Sequence, residues 1–163
     1  MRSRPRLALA LVLAVSVVAG AGAGLFVATK AGAEDPPAAT VYLTPQCGCC
    51  GDWVDHLDAA GFAVEAREVD QGELNGMKME AGISRELASC HTAFIGDYVI
   101  EGHVPAAEIR RLLDEEPDVA GLSVPGMPIG SPGMEMGGRQ DPYDVIAFDT
   151  EGATTVFASY HQD

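Results

Sequence analysis

The chain has 163 residues, enough for one modest domain with additions, and carries 24 Asp and Glu against 10 Lys and Arg, a formal net charge of −14. Every acidic residue lies from Glu34 onward, where only six Lys and Arg accompany the 24, so that part alone stands at −18. Charge of that sign excludes nucleic acid and anionic lipid surfaces as partners. It leaves two compatible readings, cationic ligands or simply a soluble, self-repelling surface.

Arg2, Arg4 and Arg6 precede an uncharged run over residues 7–29, rich in Leu, Val, Ala and Gly. A basic start and an apolar centre read as an export signal. At 23 residues the run is also long enough to span a bilayer core of about 30 Å. Residues 1–33 are therefore expected to be a cleaved signal peptide or a retained N-terminal membrane anchor, the only contact with a membrane that is expected. Either places residues 34–163 outside the cytoplasm, whether periplasmic, secreted or anchored. No cysteine follows the run for a lipoprotein anchor, and no adjacent arginines form a twin-arginine signal.

Residues 34–39, with Pro36-Pro37, read as a linker to a domain over residues 40–116. Thr40-Val41-Tyr42-Leu43 is a β-type run ended by Thr44-Pro45. Asp52 is placed to cap a helix over 53–60, with Trp53, Val54 and Leu57 as its apolar stripe and Gly61 as its stop. Alternation over 62–69 predicts a second strand. Helical pieces follow over 74–81 and 84–89, broken at Gly82, with Met77 and Met79 assigned to packing. Thr92-Ala93-Phe94-Ile95 and Tyr98-Val99-Ile100-Glu101 flank Gly96-Asp97, a hairpin signal. Pro105 suits the first turn of a helix reaching Leu113. This β-α-β-α-β-β-α order predicts an α/β, thioredoxin-like domain. Residues 117–163 form a C-terminal extension, Gly/Pro/Met-rich at first and ending in a β-hairpin built from 143–148 and 154–158.

The four cysteines fall in two words, Cys47-Gly48-Cys49-Cys50 and Cys90-His91. Three thiols in four residues are a soft-metal ligand set or a redox centre, since both chemistries need sulfurs converging on one point. Cys47 and Cys50 have the spacing of a catalytic dithiol. Cys49 would compete in thiol exchange, yet it would help to hold Cu(I). A structural zinc site is the other metal option, although the adjacent Cys49-Cys50 pair is not the usual zinc spacing. In a thioredoxin-like fold the first word falls at a helix N-terminus, where free amides and the helix dipole favour thiolate. Cys90-His91 falls where that fold usually carries a proline ahead of the third strand, and none occurs between Arg85 and His103. That weighs against routine handling of protein disulfides and for a metal site that includes His91. His103 precedes the last domain helix and is either a ligand or a loop residue. His56 is expected to face solvent. Met127, Met134 and Met136 lie in a Gly/Pro stretch with no helix face to bury them, which raises thioether coordination as a role.

In five such words the chain resembles the CopG-like family of exported copper-resistance proteins. The words are Cys47-Gly48-Cys49-Cys50-Gly51, Leu87-Ala88-Ser89-Cys90-His91-Thr92, Glu101-Gly102-His103-Val104-Pro105, Val124-Pro125-Gly126-Met127-Pro128 and Ser131-Pro132-Gly133-Met134-Glu135, in order over residues 40–158. The resemblance implies a thioredoxin-like domain whose extension folds back over the site. It also implies a cysteine-bridged copper cluster and a role in interconverting Cu(I) and Cu(II). The expected ligands are Cys47, Cys49, Cys50, Cys90, His91 and His103, closed by Met127, Met134 or Met136. Cys47 and Cys50 are the catalytic pair, copper ions the ligand, and copper-export or redox proteins the partners. The alternatives are a passive copper chaperone or store, and a thiol–disulfide oxidoreductase.

Overall fold

The structure is a computed structural model and describes residues 35–162. The expected signal or anchor over 1–33 lies outside the described residues. Element order is β1 (Ala38–Leu43), α1 (Gly48–Ala59), β2 (Ala63–Glu68), α2 (Gln71–Glu80), β3 (Thr92–Ile95), β4 (Tyr98–Glu101), α3 (Ala106–Glu115), β5 (Gly121–Ser123), β6 (Tyr143–Phe148) and β7 (Thr154–Tyr160). They build one seven-stranded sheet in the order β2-β1-β3-β4-β5-β6-β7. β1 and β2 are parallel, joined through α1 as a parallel pair requires, and β3 runs antiparallel to β1 and β4 antiparallel to β3. These strand directions are the ones the expected thioredoxin-like order calls for. β5 then extends the sheet parallel to β4, and the β6–β7 hairpin completes it.

Alternation along the strands divides the interior between two faces. Ile100, Tyr143, Val145 and Ala147 join Trp53 and Leu57 of α1 and Ile109 and Leu112 of α3 in the larger core. Their neighbours Val99, Ile146 and Phe148 meet Ile83 and Leu87 in a smaller cluster. Burial of each such side chain is worth about 1.5–3 kcal/mol. Trp53 also satisfies its indole N–H on the Val104 carbonyl at 2.9 Å, which ties α1 to the chain entering α3.

Several boundaries differ from the sequence reading. β1 begins at Ala38, inside the expected linker, because Ala39 is buried and pairs with Ile95. α1 begins five residues before Trp53, so the cysteine word is its first turn and Cys47, not Asp52, is its N-cap. Asp70 caps α2 by accepting from the Glu73 N–H at 2.8 Å. The expected helical piece at 84–89 is a turn closed by Leu87 N–H to Ser84 carbonyl at 3.2 Å. β5 was not foreseen in its irregular stretch; it forms because β4 offers an open edge and Gly121 fits against Val99. Met79 is 74% exposed, while the neighbouring Lys78 is buried. His56 is half-buried, and its Nε2 accepts the Ala106 N–H at 3.1 Å, satisfying an otherwise free amide at the start of α3.

A Cβ at Gly121 would run into the Val99 backbone, so the β4–β5 ladder requires glycine there. Gly121→Ala is expected to lower stability by about 1–3 kcal/mol through this overpacking, read as a lower urea midpoint. An unchanged midpoint would show that the strands do not pack this closely.

Candidate metal centre

The topology delivers four loops to one end of the sheet. Leu43 ends β1 just before the cysteine word, and in the antiparallel neighbour β3 the paired end is Thr92, preceded by Cys90-His91. Thr92 pairs with Glu101, after which the chain reaches His103, and Glu101 pairs with Ser123, after which it enters the Gly/Pro/Met stretch.

Two groups of ligating atoms result, each within 4.8 Å of one another: Cys47, Cys49, Cys50 and Cys90, and Cys90, His91 and His103. Cys90 belongs to both. Cys47 and Cys50 form a disulfide, and Cys49 and Cys90 are free. Cys49 Sγ lies 3.6 Å from Cys47 Sγ. Cys90 Sγ lies 3.3 Å from His91 Nδ1 and 3.1 Å from His103 Nε2.

The histidines are held differently. His103 is buried, and its Nδ1 donates to the Pro132 carbonyl at 2.8 Å. That bond leaves Nε2 unprotonated and facing the Cys90 sulfur, the tautomer a metal ligand needs. His91 is wholly buried between Trp53, 4.3 Å between ring centroids, and His103, 5.0 Å. Its Nε2 is buried without a hydrogen-bond partner. Burial holds both imidazoles below their usual pKa; for His91 the neighbouring His103 and Lys78 add to it, whereas for His103 the Pro132 carbonyl and Glu135 oppose it. Both rings are thereby kept neutral. Burial, and then the adjacent Cys49, push the Cys90 thiol up to about 12. A metal would therefore displace a proton there.

The extension closes over the helix that carries the cysteines. Gly133 has φ +80°, and a Cβ on it would lie 2.7 Å from Trp53 N and 2.9 Å from the Cys49 carbonyl. Glycine is what lets Pro132 approach His103. Met134, in the same turn, is partly buried, while Met127 and Met136 are 51% and 63% exposed. Glu135 acts on both His103 and His56 through its charge.

Two solved structures of a copper resistance protein CopG, in forms 2 and 1, are each 45% identical to the chain and cover 77% of it and 98% of their own length, with TM-scores of 0.71 and 0.72. The chain belongs to the CopG copper-resistance family. A family model described as a protein of unknown function, DUF411, matches residues 87–134, a span that contains Cys90, His91 and His103. No curated protein matches the chain.

The sequence singled out every Cys and His that these two groups contain, but not what holds them. The Pro132 carbonyl carries no side-chain signal, and Lys78 and Glu101, which brace the Cys90-His91 segment, lie in elements that read as ordinary amphipathic structure.

Gly133→Ala is expected to lift the extension from α1 and break the His103–Pro132 bond. In nitrogen NMR of the metal-free protein, His103 should lose its fixed Nδ1–H tautomer. Retention of that tautomer would show that Gly133 does not set the approach.

Proposed function

We propose that the chain is an exported copper-binding protein of copper tolerance that interconverts Cu(I) and Cu(II), with copper as its substrate. The observation that carries this is Cys90 standing in both ligand groups, which joins an all-sulfur set to a sulfur–imidazole set. Thiolates favour Cu(I), and imidazoles serve Cu(II) as well, so a mixed set on a buried scaffold suits both oxidation states. The donor set fits on a second count: the nitrogens that face Cys90, Nδ1 of His91 and the unprotonated Nε2 of His103, belong to buried rings held neutral.

In this reading Cys49, Cys90, His91 and His103 hold the ion in the oxidised protein, and opening of the Cys47–Cys50 bridge adds two sulfurs. Met134, with Met127 or Met136, completes the set from the extension over 117–163. Closing the bridge releases two electrons and two protons from the dithiol. Two Cu(II) ions then each take one electron and become Cu(I), and a dithiol partner protein reopens the disulfide. The segment 1–33 exports the chain or anchors it, and copper-export proteins take up the product.

Trp53 is the single tryptophan and lies 4.3 Å from His91, so it reports occupancy directly. Adding Cu(I) anaerobically to reduced protein should quench its fluorescence stoichiometrically, and Cys90→Ser should lose most of the effect. Zinc binding without copper uptake would sink the proposal. Because Cys90 must lose its proton, binding should release protons, and apparent affinity should rise with pH through the neutral range. Calorimetry in buffers of differing ionisation enthalpy measures this, and no proton release would contradict thiolate ligation.

The Cys47–Cys50 disulfide favours a second reading, a thiol–disulfide oxidoreductase acting on other proteins. That reading predicts that Cys47→Ser and Cys50→Ser abolish activity while Cys49→Ser and changes at Met127 or Met134 are silent. A third alternative, a passive chaperone or store, should only slow copper oxidation in stopped-flow mixing with a mild oxidant.

A further inference from the structure

Behind the Cys90-His91 word lies an ion pair that the ligand set does not use. Glu101, the last residue of β4, is fully buried, and Lys78 of α2 is 7% exposed. Their side chains are paired within hydrogen-bond reach. Glu101 accepts the Ser89 N–H at 2.6 Å and the Thr92 hydroxyl at 2.7 Å. Lys78 Nζ donates to Thr92 Oγ1 at 2.9 Å and to the His91 carbonyl at 3.3 Å. The pair therefore grips the backbone immediately before Cys90 and at His91, and the side-chain hydroxyl of Thr92 immediately after. Glu101 also stands two residues before His103, so one carboxylate joins the three ligand candidates Cys90, His91 and His103.

Stability is a poor reason to bury two charges there. Desolvation offsets most of the attraction in such pairs, and apolar replacements of similar volume are often neutral or stabilising. What the pair supplies is direction. Every donor and acceptor on it points at the segment that presents Cys90 and His91, a position where related folds rely on a proline ring to fix the chain.

We propose that Lys78 and Glu101 are positioning residues of the copper centre, holding Cys90 and His91 against His103 so that the ligands keep one arrangement in both copper oxidation states. This rests on the copper reading above and goes beyond it by assigning two residues, neither of them a ligand, that tune affinity and potential. Outer-shell partners of metal ligands commonly change affinity by about 10–100-fold when removed.

The test uses Lys78→Met/Glu101→Leu, which removes the pair without stranding either charge. The variant is expected to keep the far-ultraviolet circular dichroism and roughly the thermal midpoint of the wild type. Its Cu(I) affinity, measured by chelator competition, should fall at least about tenfold. The reduction potential of the loaded protein and its Cu(II) absorption should move as well. A purely structural pair would alter the thermal midpoint and leave affinity, potential and spectrum of the folded protein unchanged, and that outcome overturns the proposal. Should the double variant not fold, Thr92→Val decides. It removes the hydroxyl that both partners share, and unchanged affinity and spectrum overturn the proposal equally. Failure of the wild type to bind copper would overturn the copper reading itself, a result separable from variants that bind as the wild type does.

Discussion

The centre depends on which end of the sheet each loop leaves. β3 runs antiparallel to β1, β4 antiparallel to β3, and β5 parallel to β4. The end of β1, the start of β3 and the ends of β4 and β5 therefore lie side by side, and each opens into one of the chemistry-bearing words. Reversing any one strand would carry its ligands to the opposite edge, more than a strand length away. Convergence of four cysteines and two histidines is thus a property of strand direction before it is a property of any side chain.

On that base the molecule makes a two-sided clamp. From below, Lys78 and Glu101 hold the Ser89 N–H, the His91 carbonyl and the Thr92 hydroxyl around Cys90-His91. From above, Pro132 fixes the His103 ring, and Gly133 lets that loop rest on the first turn of α1. Between them the ligating atoms lie in an enclosed setting that keeps the imidazoles neutral and the Cys90 thiol protonated until a metal arrives. The same disulfide that would define a thiol exchanger here belongs to a four-cysteine group that could hold a metal, and Cys90 links that group to the two imidazoles. Membership of the CopG copper-resistance family and the Cys/His cluster around Cys90 both point to copper binding.

Much of this was legible from residues alone where local rules dominate. The Gly96-Asp97 turn between two apolar runs gave β3 and β4 to the residue, and the hairpin of β6 and β7 was visible for the same reason. Legibility failed where a distant partner overrides the local signal. α1 starts at Gly48 rather than at Trp53, ahead of the Asp52 that composition suggested as a cap. β5 is three residues long and exists because β4 leaves an edge for it. His56 reads as a surface histidine until α3, fifty residues later, presents a free amide to it.

By itself the sequence determined the chemical inventory: supernumerary thiols around a dithiol spacing, imidazoles in two further words and a strongly acidic part from Glu34 onward, unsuited to nucleic acid. Those are properties of residue type and spacing, which survive without coordinates. The tertiary structure alone decided which atoms face one another, which histidine nitrogen is free, and that a lysine on an ordinary helix is buried beneath the site. The physical reason is the range of the interactions. A cysteine word is written within four residues, whereas the bonds from Lys78 to Glu101 and from His103 to Pro132 cross more than twenty, and only the folded sheet brings their ends together.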